Sequence, residues 1–108
     1  MIVTGGENVF SIEVERALFR HPAVQEAAVI GIPSEEWGEA VHAVVVLRPG
    51  AEAGEEDLIA HCRELIGGYK CPKSVEFRDE PLPVTPVGKV RKNLLRDPWW
   101  KGRDRPIG

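Results

Sequence analysis

Apolar and polar positions alternate along this chain with two different periods, and the switches between them mark out the elements. In "FSIEVERALFRHP" (10–22), Phe10, Val14, Ala17 and Leu18 recur at i, i+4, i+7 and i+8, the spacing of one buried helical face. Ser11 is placed to cap this helix, Glu13 and Glu15 suit its positive end, and Pro22 stops it. A second stripe of Leu58, Ile59, Cys62, Leu65 and Ile66 predicts a helix over 55–68, with acids in its first turn and Gly67-Gly68 at its close. Between these lie two β-branched runs, "VQEAAVIGIP" (24–33) and "AVHAVVVLRPG" (40–50), and a third follows at "SVEFRD" (74–79). The first two runs are joined by the short loop "SEEWGE", which favours antiparallel pairing. A short helix is expected near "KNLLRD". The order helix, strand, strand, helix, strand, helix predicts an α+β fold. It is a small, mostly antiparallel sheet of about three strands covered by helices.

Length places all of this in one domain, residues 1–108. No apolar run reaches the roughly 20 residues of a membrane span, so the chain is expected not to be transmembrane. "MIVTGGEN" has no basic region followed by an apolar stretch and so does not read as a secretory signal. Cys62 and Cys71 are not a CxxC pair and fit two free thiols in a cytoplasmic protein better than a disulfide or a zinc site. His61 beside them is expected to be an exposed helix residue. Charge is uneven: residues 1–88 carry 7 Lys/Arg and 15 Asp/Glu, a net of −8, and residues 89–108 carry 7 and 2, a net of +5. A basic tail on an acidic body invites an anionic contact, or is simply a solvated helix. Nucleic acid is disfavoured, because the pI is near 5.6 and only one segment is basic.

The chemistry-bearing residues are few. Scattered His21, His42 and His61, with no Ser/His/Asp set and no metal cluster, argue against a self-contained active site. Gly5-Gly6 precedes the first helix, as a loop entering it or as a place of close backbone approach. Lys89 follows Gly88 at the end of an arm stiffened by Pro81, Pro83 and Pro86. A Walker loop is excluded, since Pro83 stands where the first glycine belongs and Val90 where a Ser or Thr belongs. The arrangement suits a long cation delivered, with Gly88 as an adjustable joint, to a site built elsewhere. Trp37 in the inter-strand loop and Tyr69 beside Lys70 are aromatic candidates for stacking on a flat ligand, or for satellite apolar contacts. Trp99 and Trp100 are expected to pin the tail.

Taken together, "MIVTGGENVFSIEVERAL", "AAVIGIPSEEWGE", "YKCPKSVEF" and "LPVTPVGKVRKNLLR" resemble the C-terminal domain of the adenylate-forming acyl-CoA synthetases, in order and in spacing over nearly the whole chain. The resemblance implies the mobile domain of a two-domain enzyme that joins a carboxylic or fatty acid to ATP, releases pyrophosphate and passes the acyl group to coenzyme A. It implies that Lys89 is the catalytic lysine of adenylation, with Gly88 in its supporting loop. It also implies that Gly5, Gly6 and Glu7 form the loop facing the site during thioester formation, with Trp37 and Tyr69 on the coenzyme A side. Lys92 and Arg96 match the basic close of the pattern. ATP and coenzyme A are implied as substrates, the N-terminal domain of the same enzyme as partner, and Mg²⁺ in that missing domain. The family's hinge and a ribose-holding arginine fall upstream of Met1, so the chain is expected to be a fragment, inactive alone. Val84, Val87, Cys71 and Ser11 depart from the usual residues; the two valines bear on how Lys89 is positioned. Two other readings stay open: the matching subdomain of an adenylation module that loads a carrier protein, and a non-catalytic binding module with a basic tail.

Overall fold

The computed structural model describes residues 1–101. Its elements are β1 (Ile2–Thr4), β2 (Glu7–Val9), α1 (Ser11–Phe19), β3 (Val24–Ser34), β4 (Gly38–Leu47), α2 (Glu55–Leu65), a 3₁₀ turn (Gly68–Lys70), β5 (Ser74–Phe77) and α3 (Lys92–Trp100). The α+β expectation stands, but the sheet has five strands rather than about three. Its order is β2-β1-β4-β3, with β5 also paired to β4. Only the β4–β5 pairing is parallel, His42–Val45 against Ser74–Phe77.

The long antiparallel pair β3–β4 is the spine, and its sequence looks continuously apolar because both its faces are covered. Ala27, Val29, Val41, Ala43 and Val45 pack on one side with Val14, Ala17 and Leu18 of α1 and Leu58 and Cys62 of α2. Ala28, Ile30, Ile32, Val44 and Val46 pack on the other with Leu82 and with Leu95 of α3. Parity along the strand therefore assigns each side chain to a layer.

Four local expectations are corrected. Phe10 is not on the buried face of α1; its backbone is extended, the helix begins at Ser11, and Phe10 is 58% exposed. Ser11 is consequently the first helical residue and not the cap. The α2 helix ends at Leu65 with Ile66 extended, and Gly67 has φ −62°, so no left-handed glycine closes it. His61 is half-buried rather than exposed: its Nε2 lies 2.7 Å from the Ala17 carbonyl and its ring meets His21 edge-on, tying α2 to α1.

Side chains cover outward backbone groups on two edges of the sheet, β3 and β5. Glu15 accepts the outward Val29 N–H at 2.9 Å, and Trp100 donates its indole N–H to the Gly31 carbonyl at 2.9 Å. Pro33 removes a further donor from β3. On β5, Glu55 accepts the Val75 N–H at 2.7 Å. Each contact occupies a backbone group that would otherwise offer a template for strand addition.

Candidate functional site

Lys89 lies in a small hairpin and not on an extended arm. Val84 and Val90 bridge antiparallel. Between them, Gly88 N–H donates to the Thr85 carbonyl at 2.8 Å and Thr85 N–H to the Lys89 carbonyl at 2.7 Å. The Thr85 hydroxyl accepts the Lys89 N–H at 3.2 Å. Pro86 presets the turn and Gly88, at φ +87°, occupies the left-handed position that follows it. Gly88 is therefore a locked corner, where the sequence suggested an adjustable joint. The root of the hairpin is fixed by Arg91 N–H to the Pro83 carbonyl (2.7 Å), and by Val90 packed with Leu82 and Leu95 against the α3 side of the sheet. Lys89 itself is exposed, and among the described residues its ammonium has no hydrogen-bond or ion-pair partner. A rigid backbone thus presents a free cation beside Val87, which is 83% exposed.

Gly5-Gly6 is a second hairpin corner, where the sequence suggested a loop entering a helix or a place of close backbone approach. β1 and β2 pair Thr4 with Glu7, leaving Gly5 (φ +57°) and Gly6 (φ +83°) as a two-residue turn. Positive φ at both positions is the type I′ signature. The two glycines have different environments. A Cβ on Gly5 would sit 2.8 Å from the Trp37 ring, whereas nothing lies within 4 Å of one on Gly6. Gly5 N–H also donates to the Trp37 carbonyl at 2.9 Å, so this hairpin is clamped to the β3–β4 turn. Over the Trp37 ring, at 5.3 Å, stands the Lys73 ammonium, a residue that sequence reasoning passed over. Trp37 remains 41% exposed and Glu7 is exposed. Beneath the corner, Thr4 is buried with its hydroxyl unpartnered.

The structure brings Gly5, Trp37 and Lys73 together and keeps Gly6 and Glu7 at the same corner. It sets Tyr69 on the 3₁₀ turn after α2, 45% exposed, beside Lys70. Lys70 is anchored by Glu13 at 3.1 Å, and this hydrogen bond raises its pKa. Lys89 is rooted on the other layer of the sheet. Lys92 reaches α1, 2.8 Å from Glu15 and 3.0 Å from the Ser11 hydroxyl. Thiol chemistry has little support: burial, with Cys71 nearby, pushes the Cys62 thiol up to about 11, and burial raises Cys71 as well.

A polar cluster under α3 was also invisible in the sequence. His42 is buried, with Nδ1 2.6 Å from the Ser74 hydroxyl and Nε2 3.3 Å from Glu76, and the Trp99 ring sits 5.0 Å away, tilted by 60°. Glu76 also accepts from Arg78 at 2.7 Å. Burial opposes the charge on Glu76, but the bonds from Arg78 and His42 together outweigh it and hold the carboxyl below its usual range. The parallel β4–β5 register, which sets His42 opposite Ser74, makes the cluster possible.

Five strands, three helices and two glycine corners, one clamped and one carrying a free lysine, are the framework against which known proteins can be compared. Residues 13–89 match the AMP-binding enzyme C-terminal domain, and the chain belongs to that family. It is 46% identical over 97 residues to the peroxisomal trans-cinnamate:CoA ligase of Petunia hybrida, covering 90% of this chain and 17% of that one. It is 44% identical over its whole length to a medium/long-chain fatty acid–CoA ligase of Mycobacterium tuberculosis, of which it covers 20%. A Brucella canis acyl-CoA synthetase superposes with a TM-score of 0.84 at 39% identity, over 90% of this chain and 18% of that one. The chain thus spans about a fifth of the length of the relatives it matches.

Proposed function

We propose that residues 1–108 form the mobile C-terminal domain of an ATP-dependent acyl-CoA synthetase, in which the hairpin at Lys89 serves adenylation and the corner at Gly5-Gly6 serves thioester formation. The observation that carries this reading is the Lys89 hairpin. Its backbone is over-determined by hydrogen bonds, yet among the described residues its ammonium has no partner. Such a preorganised cation suits charge developing on carboxylate and phosphate oxygens in a partner domain's site. The Gly5-Gly6 corner has the complementary property: Gly6 adds no bulk beyond its backbone, which leaves a path for the thin pantetheine arm of coenzyme A. Trp37 and Lys73 offer a flat face and a cation beside that path. Tyr69 is assigned to the coenzyme A side by resemblance alone.

ATP, the acid and Mg²⁺ belong in this reading to an upstream domain of the same enzyme. Among the described residues, no group of three His, Cys, Asp or Glu side chains is placed to hold a metal ion.

The test is a chimera. The chain is joined to the N-terminal portion of the Mycobacterium tuberculosis ligase, and pyrophosphate release and acyl-CoA formation are compared with that portion alone. Restoration of acid-dependent acyl-CoA synthesis is expected. A folded, monodisperse chimera no more active than the truncated partner would sink the reading.

A further inference from the structure

At the end of the β3–β4 spine remote from Trp37 lies an open groove of about 400 Å³. Eight residue steps separate Glu26, at the groove, from Ser34, beside the Trp37 turn, which is roughly 25 Å along a strand. Nothing in the adenylation reading uses this groove. Gln25, Glu26, Arg48, Phe77, Arg78 and Asp79 supply its chemistry. Its volume falls within the range of small-molecule sites.

The two arginines are unusual in how they are held. Arg48 donates its backbone N–H to the Ala23 carbonyl (2.9 Å) and its Nε–H to the Pro22 carbonyl (3.2 Å). Arg78 donates its backbone N–H to the Val45 carbonyl (2.9 Å) and its Nε–H to Glu76 (2.7 Å). Each guanidinium is thereby tethered at one nitrogen, and neither has a described partner for its terminal fork. A tethered fork has lost much of the rotamer freedom that weakens surface arginines, and its geometry matches phosphate oxygens. Beside Arg78, Phe77 exposes 41% of its surface, which provides an aromatic face where a planar ring can stack. Arg78 shares its charge with Glu76, so Arg48 is the groove's cation without an ion-pair partner among the described residues. Glu26 accepts the Leu82 N–H at 3.4 Å, and Asp79 supplies an acceptor for hydroxyl or amino donors.

We propose that this groove is a ligand site for a phosphorylated planar compound of mononucleotide size, with Arg48 and Arg78 on the phosphate, Phe77 on the ring and Asp79 on its hydroxyls. The site adjoins the root of the lysine hairpin, because Pro81 lines it and Leu82 is bonded to Glu26. The proposal does not rest on the acyl-CoA synthetase reading, since it concerns binding by this chain alone.

It is tested by ¹⁵N NMR titration of the 108-residue chain with AMP, adenosine and inorganic phosphate at fixed ionic strength. AMP is expected to saturate with a Kd on the order of 1 mM, moving the amides of Phe77, Arg78 and Arg48. Adenosine and phosphate should each bind at least about tenfold more weakly, and Arg48→Gln should weaken AMP about tenfold. Phe77→Ala tests the ring contact in the same way. Lys89→Ala should leave AMP binding unchanged, which separates this site from the adenylation surface. Non-saturating shifts, phosphate binding as tight as AMP, indifference to Arg48→Gln, or loss of binding in Lys89→Ala would each overturn the proposal. Because Arg48 is exposed and lies outside both core clusters, its substitution is expected to leave the fold intact, which the dispersion of the spectrum checks directly.

Discussion

The corners at Gly5-Gly6 and at Gly88 use the same backbone device, glycine at positive φ in a tight hairpin, to opposite ends. At the first, the turn is pressed against a neighbouring aromatic ring and its free position is an empty one, Gly6. At the second, the turn is braced from within by Thr85, and its free position is a charged one, Lys89. One corner is suited to letting something pass, and the other to reaching something. The difference lies in what each glycine faces, and φ alone does not reveal it.

The largest effect that can break this contrast is at Lys89. In the chimera, Lys89→Ala should slow pyrophosphate release by about 10² to 10³. Activity from presynthesised acyl-adenylate and coenzyme A should be largely retained. An equal loss in both half-reactions would show that the hairpin is only a structural element.

Next comes Gly6→Trp, which should spare pyrophosphate release in a single turnover but slow acyl-CoA formation by about 10². Gly6→Ala carries the same positive-φ strain with little bulk and is the control. If the two variants slow acyl-CoA formation equally, obstruction is not the cause.

Stability separates the two glycines of the clamped corner. Both positions carry a left-handed penalty of about 1–2 kcal/mol for any side chain. Gly5→Ala adds a collision with Trp37 that Gly6→Ala lacks, so its melting temperature should be the lower of the two. Identical melting temperatures would show that Trp37 yields freely and clamps nothing.

Smaller again is Thr85→Val, which deletes the acceptor for the Lys89 N–H at a cost of about 1 kcal/mol. Amide exchange at Lys89 should quicken while that at Gly6 stays put. Smallest is a pH effect under α3. Glu76 holds its proton less tightly when folded than the ordinary 4.5, so its contribution is complete above that value and is lost as pH falls through the lowered folded value. The stability gap between wild type and Glu76→Gln should therefore narrow in acid; a gap independent of pH would contradict the assignment.

The spine was legible because Val24–Ser34 and Gly38–Leu47 are long, β-branched and bounded by turn residues. β1 and β2 were not, since three residues are too few to show a period, although Gly-Gly between Ile2-Val3-Thr4 and Val9 is itself a hairpin signal. Phe10 misled because periodicity cannot see where the helical dihedrals begin. The candidate site divides in the same way. Lys89 stood out as a cation after a glycine in a proline-rich stretch, although Thr85 as its brace did not. The clamp of Trp37 on Gly5 and the cation from Lys73 join residues 32 and 36 apart, and only the fold brings them together. The basic tail expected over 89–108 extends to Arg103 and Arg105, which lie outside the described residues.

The covered edges of β3 and β5 have a consequence for transplantation. A piece cut from a larger protein usually exposes seams, and seams that can zip to one another make gels and dimers. On β3 and β5, Glu15, Trp100, Pro33 and Glu55 occupy or remove backbone groups that would do so, and all four lie within this chain. Along β3 and β5 the finish is therefore supplied from within residues 1–101, and a transplant of the chain carries the cover of these two edges with it.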